Sequence, residues 1–82
     1  MRNAVCPGSF DPVTNGHLDV FERASAMYDN VTIAVLTNSS KSALFTIEER
    51  MNFIADACSA WTNIKVVSFQ GLLVDFCKQN DI

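Results

Sequence analysis

Positive charge is in short supply in this sequence. Six lysines and arginines stand against nine aspartates and glutamates over 82 residues, leaving a net charge of −3 and a pI near 4.7. A protein that grips nucleic acid through a broad basic face needs the opposite balance, so no nucleic-acid partner is expected. A small anionic ligand stays possible, because local dipoles and one or two cations can hold a phosphate. Nor is there an apolar run near the ~20 residues that span a bilayer, or a secretory apolar core. A cytoplasmic protein with no membrane partner is expected. The three cysteines, Cys6, Cys58 and Cys77, are odd in number and widely spaced, with no C-x-x-C. That pattern excludes a disulfide framework and a zinc site, and points to reduced interior thiols. Repeats and low-complexity segments are missing as well. The length allows one domain, residues 1–82, which buries only about 60% of its unfolded surface.

Glycine, proline and histidine are scarce too, at three, two and one. Yet both prolines, two of the glycines and the histidine crowd into "CPGSFDPVTNGH", residues 6–17. This stretch follows a short apolar run and precedes a helical pattern. Residues 3–6 read as a strand that the Pro7-Gly8 turn signal ends. From Asn15, His17, Phe21, Ala24 and Tyr28 share one helical face, with Leu18, Val20 and Met27 widening the stripe. Thr14 is the expected N-cap, and Asp19 and Glu22 are expected near the positive end of the dipole. The helix should stop near residues 29–30.

"VTIAVL", residues 31–36, is rich in β-branched residues and suits a central parallel strand buried on both faces. A polar loop with Lys41 follows. Thr46 and Glu49 have the capping-box spacing for a second helix, to about residue 60, with an apolar stripe of Ile47, Met51, Ile54, Cys58 and Trp61. Residues 64–69 read as a third strand and residues 72–79 as a third helix. The order β-α-β-α-β-α implies an α/β fold, a parallel sheet with helices on both faces, joined by right-handed crossovers. Such sheets bind ligands beyond the carboxyl ends of their strands, where the punctuated stretch lies. The chain stops where a fourth strand should begin. An open sheet edge is an aggregation hazard, so these residues are expected to be the first part of a longer domain, or half of something that another chain completes.

The chemistry of the stretch follows from its residue types. Gly8 and Gly16 lack a Cβ, so a ligand can approach the backbone. The first helical turn offers free N–H groups and a positive dipole end. His17 adds a directed donor and Ser9 a hydroxyl. His17 could attack phosphorus, but among N–H donors it fits better as a donor to a phosphoryl oxygen. Transfer would then be an in-line displacement between two bound substrates, driven by positioning and charge stabilisation. For each residue there is a plainer alternative. His17 can be a structural residue, Ser9 a turn hydroxyl, Lys41 a solvated lysine and Leu73 core. Asp11 fits the organiser of an Asx turn better than a base. Trp61 and Phe53 carry no functional signal.

"PGSFDPVTNGH" resembles the signature of the nucleotidyltransferase superfamily, H-x-G-H or T-x-G-H after the first strand. Thr14 in the first motif position, together with "GSFDP", "SK" at residues 40–41, "FTIEER" at 45–50 and "GLLVDF" at 71–76, resembles the bacterial phosphopantetheine adenylyltransferase family. The resemblance implies a Rossmann-like domain of which this is the amino-terminal part. It also implies adenylyl transfer from Mg2+-bound ATP to 4'-phosphopantetheine, giving dephospho-coenzyme A and pyrophosphate. By that resemblance Ser9 contacts ATP and the acceptor phosphate, and the Phe10 backbone contacts ATP. His17 binds ATP and stabilises the pentacoordinate phosphorus, Lys41 holds the acceptor phosphate, and Leu73 lines the pantetheine pocket. Mg2+ arrives with ATP and no metal is held by the protein alone. A homo-oligomer, a hexamer, is implied. The family's second half, with further arginine and backbone contacts to the phosphates, is not in these residues. The alternatives are a catalytically incomplete phosphate-binding or assembly fragment, and a transferase of another nucleotide preference in the same superfamily.

Overall fold

The computed structural model describes residues 2–37, 45–70, 75, 77 and 78. Strands and helices alternate within them: β1 (Asn3–Gly8), α1 (Asn15–Met27), β2 (Asn30–Leu36), α2 (Ile47–Ala57) and β3 (Ile64–Phe69). The strands form one parallel sheet in the order β1-β2-β3, with Cys6 and Val66 flanking Ile33. This is the alternating, parallel α/β architecture expected of a Rossmann-like fold, with three strands among the described residues. The helix expected over residues 72–79 lies mostly outside the described residues; Asp75, Cys77 and Lys78 are helical, with Asp75 and Lys78 exposed and Cys77 half-buried.

Successive strands step in one direction across the sheet, so right-handed crossovers put α1 and α2 on the same face, and the expected helical layer on the other face is not formed by these two helices. The core confirms it. Phe21 of α1 and Ile54 of α2 pack in one cluster with Ile33 and Val35, alternate residues on one face of β2. Cys6, Ile64 and Val66 join from the neighbouring strands. Val31, Ile33 and Val35 have no exposure at all, which is why β2 reads as a nearly unbroken apolar run. Full burial of a side chain such as Phe21 or Ile54 contributes about 1.5–3 kcal/mol.

Several element boundaries differ from expectation. β1 runs on through Pro7 to Gly8, with Pro7 in register with Ala34. Among the described strands β1 is at the sheet's edge, and an edge strand tolerates proline because one side of its backbone serves no ladder. α2 ends at Ala57, and Cys58 and Trp61 continue its apolar stripe from the turn beyond. Val20 and Met27 do not widen the buried stripe of α1; they are 54% and 59% exposed. The 100° step per residue carries both away from the Phe21 face.

The carboxyl end of α1 is closed by a distant residue. No basic side chain stands in its last turn. Instead the Asn63 side-chain amide donates to the carbonyls of Ser25 and Tyr28, at 2.9 and 3.0 Å. The Asn63 carbonyl in turn accepts from the Val31 N–H at 2.9 Å, just before β3 begins.

Candidate functional site

Because the strands are parallel, Gly8, Leu36 and Phe69 all end at one edge. The chain leaving β1 turns sharply there. Ser9 is exposed, and the next residue, Phe10, has φ of 48°, in the left-handed region that aromatic residues rarely visit. That turn sends the Phe10 ring back into the core, where it is 6% exposed. It meets His17 edge-on at 5.0 Å between centroids, and Phe21 at 5.5 Å. With the ring committed inward, Phe10 offers the edge only its backbone. The Asp11–Pro12 peptide that follows is cis.

Gly8 serves this turn rather than a ligand. A Cβ there would lie 2.8 Å from the tip of the Phe10 ring. The expectation that its bare backbone leaves room for a ligand is thus corrected: the space is filled by the protein's own aromatic ring. The flank of Gly16 is open, the nearest atom being Thr14 Oγ1 at 3.6 Å from a Cβ placed there.

Thr14 is the N-cap of α1, as expected, but its partner is unusual. The residue that completes the capping box is His17, where glutamate or glutamine is customary. The Thr14 backbone N–H donates to His17 Nδ1 at 3.0 Å, with Thr14 Oγ1 3.1 Å from the same nitrogen. The His17 N–H donates back to Thr14 Oγ1 at 3.4 Å. A backbone N–H can only donate, so Nδ1 is an acceptor and carries no proton. The neutral ring therefore bears its proton on Nε2. Nε2 has no hydrogen-bond partner among the described residues. The imidazole is thus held by one nitrogen, packed on one side by Phe10, and left with one donor to offer.

The dipole at this helix end is uncompensated. No acidic residue lies in the first turn of α1. Asp19, expected near that end, lies past the first turn and pairs with Arg23 at 3.1 Å, one helical turn on. An anion arriving at Thr14–His17 therefore meets free N–H groups and no carboxylate in the helix's own first turn.

Asp11 reaches further than a local turn. Its Oδ1 accepts from the Phe45 N–H at 2.9 Å, tying the loop after β1 to the segment entering α2. Phe45 in turn packs edge-on against the half-exposed Phe53, at 5.3 Å. The capping box expected at Thr46 and Glu49 is formed, with hydrogen bonds of 3.0 and 3.1 Å.

One residue escaped the sequence reading altogether. Arg50 is 7% exposed and sits beneath the edge, its guanidinium on backbone carbonyls. Its signal was positional: it lies three residues after Ile47 and four before Ile54, inside the apolar stripe, where a charge has no ordinary place.

Ser9, Phe10 and His17 are thus brought to one edge, while Lys41 and Leu73 lie outside the described residues. Cys6, Cys58 and Cys77 are free thiols, and burial pushes the ionisation of Cys6 and Cys58 above the ordinary thiol range. Neither is a nucleophile in waiting. Among the described residues no His, Cys, Asp and Glu side chains gather into a metal-holding group, and no helix is long and apolar enough to cross a membrane.

This geometry can be set beside known proteins. The chain is 58% identical over 82 residues to a phosphopantetheine adenylyltransferase of Streptomyces coelicolor, covering 100% of this chain and 52% of the relative. It is 53% identical over 81 residues to one from a Nocardioides species, covering 99% of this chain and 51% of the relative. The chain therefore spans about half the length of these curated relatives. A match to the cytidylyltransferase-like family runs over residues 5–82, from the first strand through the histidine-bearing turn to the last residue, and on that span the chain belongs to this family.

Proposed function

We propose that the protein transfers an adenylyl group from ATP to 4'-phosphopantetheine, giving dephospho-coenzyme A and pyrophosphate, in coenzyme A synthesis. One observation carries the reading: Thr14 occupies Nδ1 of His17, so the Nε2–H is the donor left at an uncompensated helix start. A phosphate oxygen of the acceptor attacks the α-phosphorus in line, and pyrophosphate leaves from the opposite side. No covalent bond to the protein forms. Charge building on the α-phosphoryl oxygens is met by His17 Nε2–H, by free N–H groups of the first turn of α1 and by the Phe10 N–H. The exposed Ser9 hydroxyl contacts ATP and the acceptor phosphate. Lys41 and Leu73 are assigned the acceptor's phosphate and its pantetheine arm. Mg2+ enters bound to the triphosphate of ATP, where it would neutralise charge on the phosphoryl oxygens. A cytoplasmic homohexamer belongs to the same reading. The two relatives' shared name supports the substrate assignment.

The half-length coverage of the relatives favours a second reading for residues 1–82 by themselves: they bind nucleotide and do not turn over. One assay tests both. Pyrophosphate release is measured with the full-length protein and with residues 1–82, with and without 4'-phosphopantetheine, and with ATP or CTP. The expected result is release from the full-length protein that needs ATP and the acceptor together. Release with CTP in preference to ATP, or none that depends on the acceptor, would overturn the reading.

A further inference from the structure

Arg50 links three chain ends that border the site. Its Nη1 donates to the Ser9 carbonyl at 2.9 Å and lies 3.4 Å from the Leu36 carbonyl. Its Nε lies 3.4 Å from the carbonyl of Thr46. These carbonyls stand just past β1, at the last residue of β2 and at the N-cap of α2. All are neutral, and the ion pair among the described residues is Arg23–Asp19, elsewhere. A guanidinium buried without a carboxylate is costly to desolvate, and its planar fork is what lets it serve several carbonyls together.

The consequence lies in the peptide plane that follows Ser9. Among the described residues only Asp11–Pro12 is cis, so the Ser9–Phe10 peptide is trans. In a trans peptide the carbonyl and the next N–H point in opposite directions. Drawing the Ser9 carbonyl down onto Arg50 therefore turns the Phe10 N–H up, away from α2. That N–H donates to nothing among the described residues. We propose that Arg50 is a positioning residue whose hold on the Ser9 carbonyl aims the Phe10 N–H at the phosphate of a bound nucleotide. The proposal rests on reading this edge as a phosphate site, and it reaches the ligand only through the backbone. The left-handed turn at Phe10 and the buried ring lock the other side of the same peptide.

The test uses the full-length protein, unaltered and as Arg50→Lys and Arg50→Met, with amide resonances followed during titration with ATP. In the unaltered protein ATP is expected to move the Phe10 amide proton downfield. In Arg50→Met, below its melting temperature, that shift is lost and ATP affinity falls about tenfold, the worth of one hydrogen bond to a charged group. Arg50→Lys keeps the charge and loses the fork, and is expected to behave like Arg50→Met. It carries the test by itself if Arg50→Met does not fold. A lysine variant with normal ATP affinity and a normal Phe10 shift would overturn the proposal. So would variants that melt earlier yet keep both readouts. Absence of acceptor-dependent pyrophosphate release, with the Phe10 response intact and sensitive to Arg50, would refute the transfer reaction and leave the proposal standing. Release without any ATP effect on Phe10 would do the reverse.

Discussion

Gly8 and Phe10 are shaped around each other: a Cβ on the glycine would lie 2.8, 3.0 and 3.2 Å from three atoms of the ring. The ring cannot step aside cheaply, because His17 and Phe21 hold it edge-on from two sides. Gly8→Ala is therefore expected to destabilise the fold by about 1–3 kcal/mol, the usual cost of overpacking. Urea unfolding reads it. Unchanged stability would mean that the ring is free to move, and that His17 lacks its packing wall.

The capping role of His17 and its chemical role can be separated. Glutamate at the same position completes the capping box with Thr14 and favours the helix dipole. His17→Glu should then melt at or above the temperature of the unaltered protein. The outward N–H is replaced by a negative oxygen, so acceptor-dependent pyrophosphate release should fall by at least ~10²-fold, the usual loss for one such donor. Near-normal turnover would remove His17 from the mechanism, and a large drop in melting temperature would remove the cap.

Asn63 should matter to stability although it is far from the edge. Asn63→Ala leaves the Ser25 and Tyr28 carbonyls without their donor, at an expected cost of about 1–3 kcal/mol. Asn63→Asp should be worse still, since a carboxylate cannot donate and faces the negative end of the dipole. Thermal melts of the two variants, compared with each other, decide the point. An aspartate variant as stable as the alanine variant would contradict the dipole contribution.

Alkaline pH should loosen the fold through the thiols. Burial holds the protons of Cys6 and Cys58 to higher pH in the folded chain than in the unfolded one. Above the ordinary thiol range the unfolded chain loses those protons first and binds fewer of them. Stability then falls as pH rises, starting near about pH 8.5. Cys58→Ala should flatten that fall in urea melts taken across the same range. An unchanged slope would place its cause in other groups.

The sheet and its two described helices were legible because their signals were local and redundant. β2 announced itself by an apolar β-branched run and α2 by a capping box followed by an apolar stripe. His17 was legible as a site residue because a lone histidine stood beside a glycine at a strand-to-helix turn. What it was bonded to was not, since the capping-box position it fills is ordinarily held by glutamate or glutamine. Gly8 was misread for a related reason. A missing Cβ says that something comes close, but not whether it is a ligand or, as here, an aromatic ring two residues on. Arg50 left only a positional trace, a charge inside the apolar stripe of α2; its partners could not be read, because they are backbone carbonyls, two of them distant in sequence, that every residue type possesses. Long-range backbone acceptors leave no trace in composition or periodicity.

The closure of α1 by Asn63 bears on the order in which the chain can mature. The helix that presents the imidazole is written early, within the first third of the sequence, yet its last carbonyls wait for a residue at position 63. On the ribosome, that helix emerges with its far end answered only by water. It becomes fully secured once the lead-in to β3 has cleared the exit tunnel and docked.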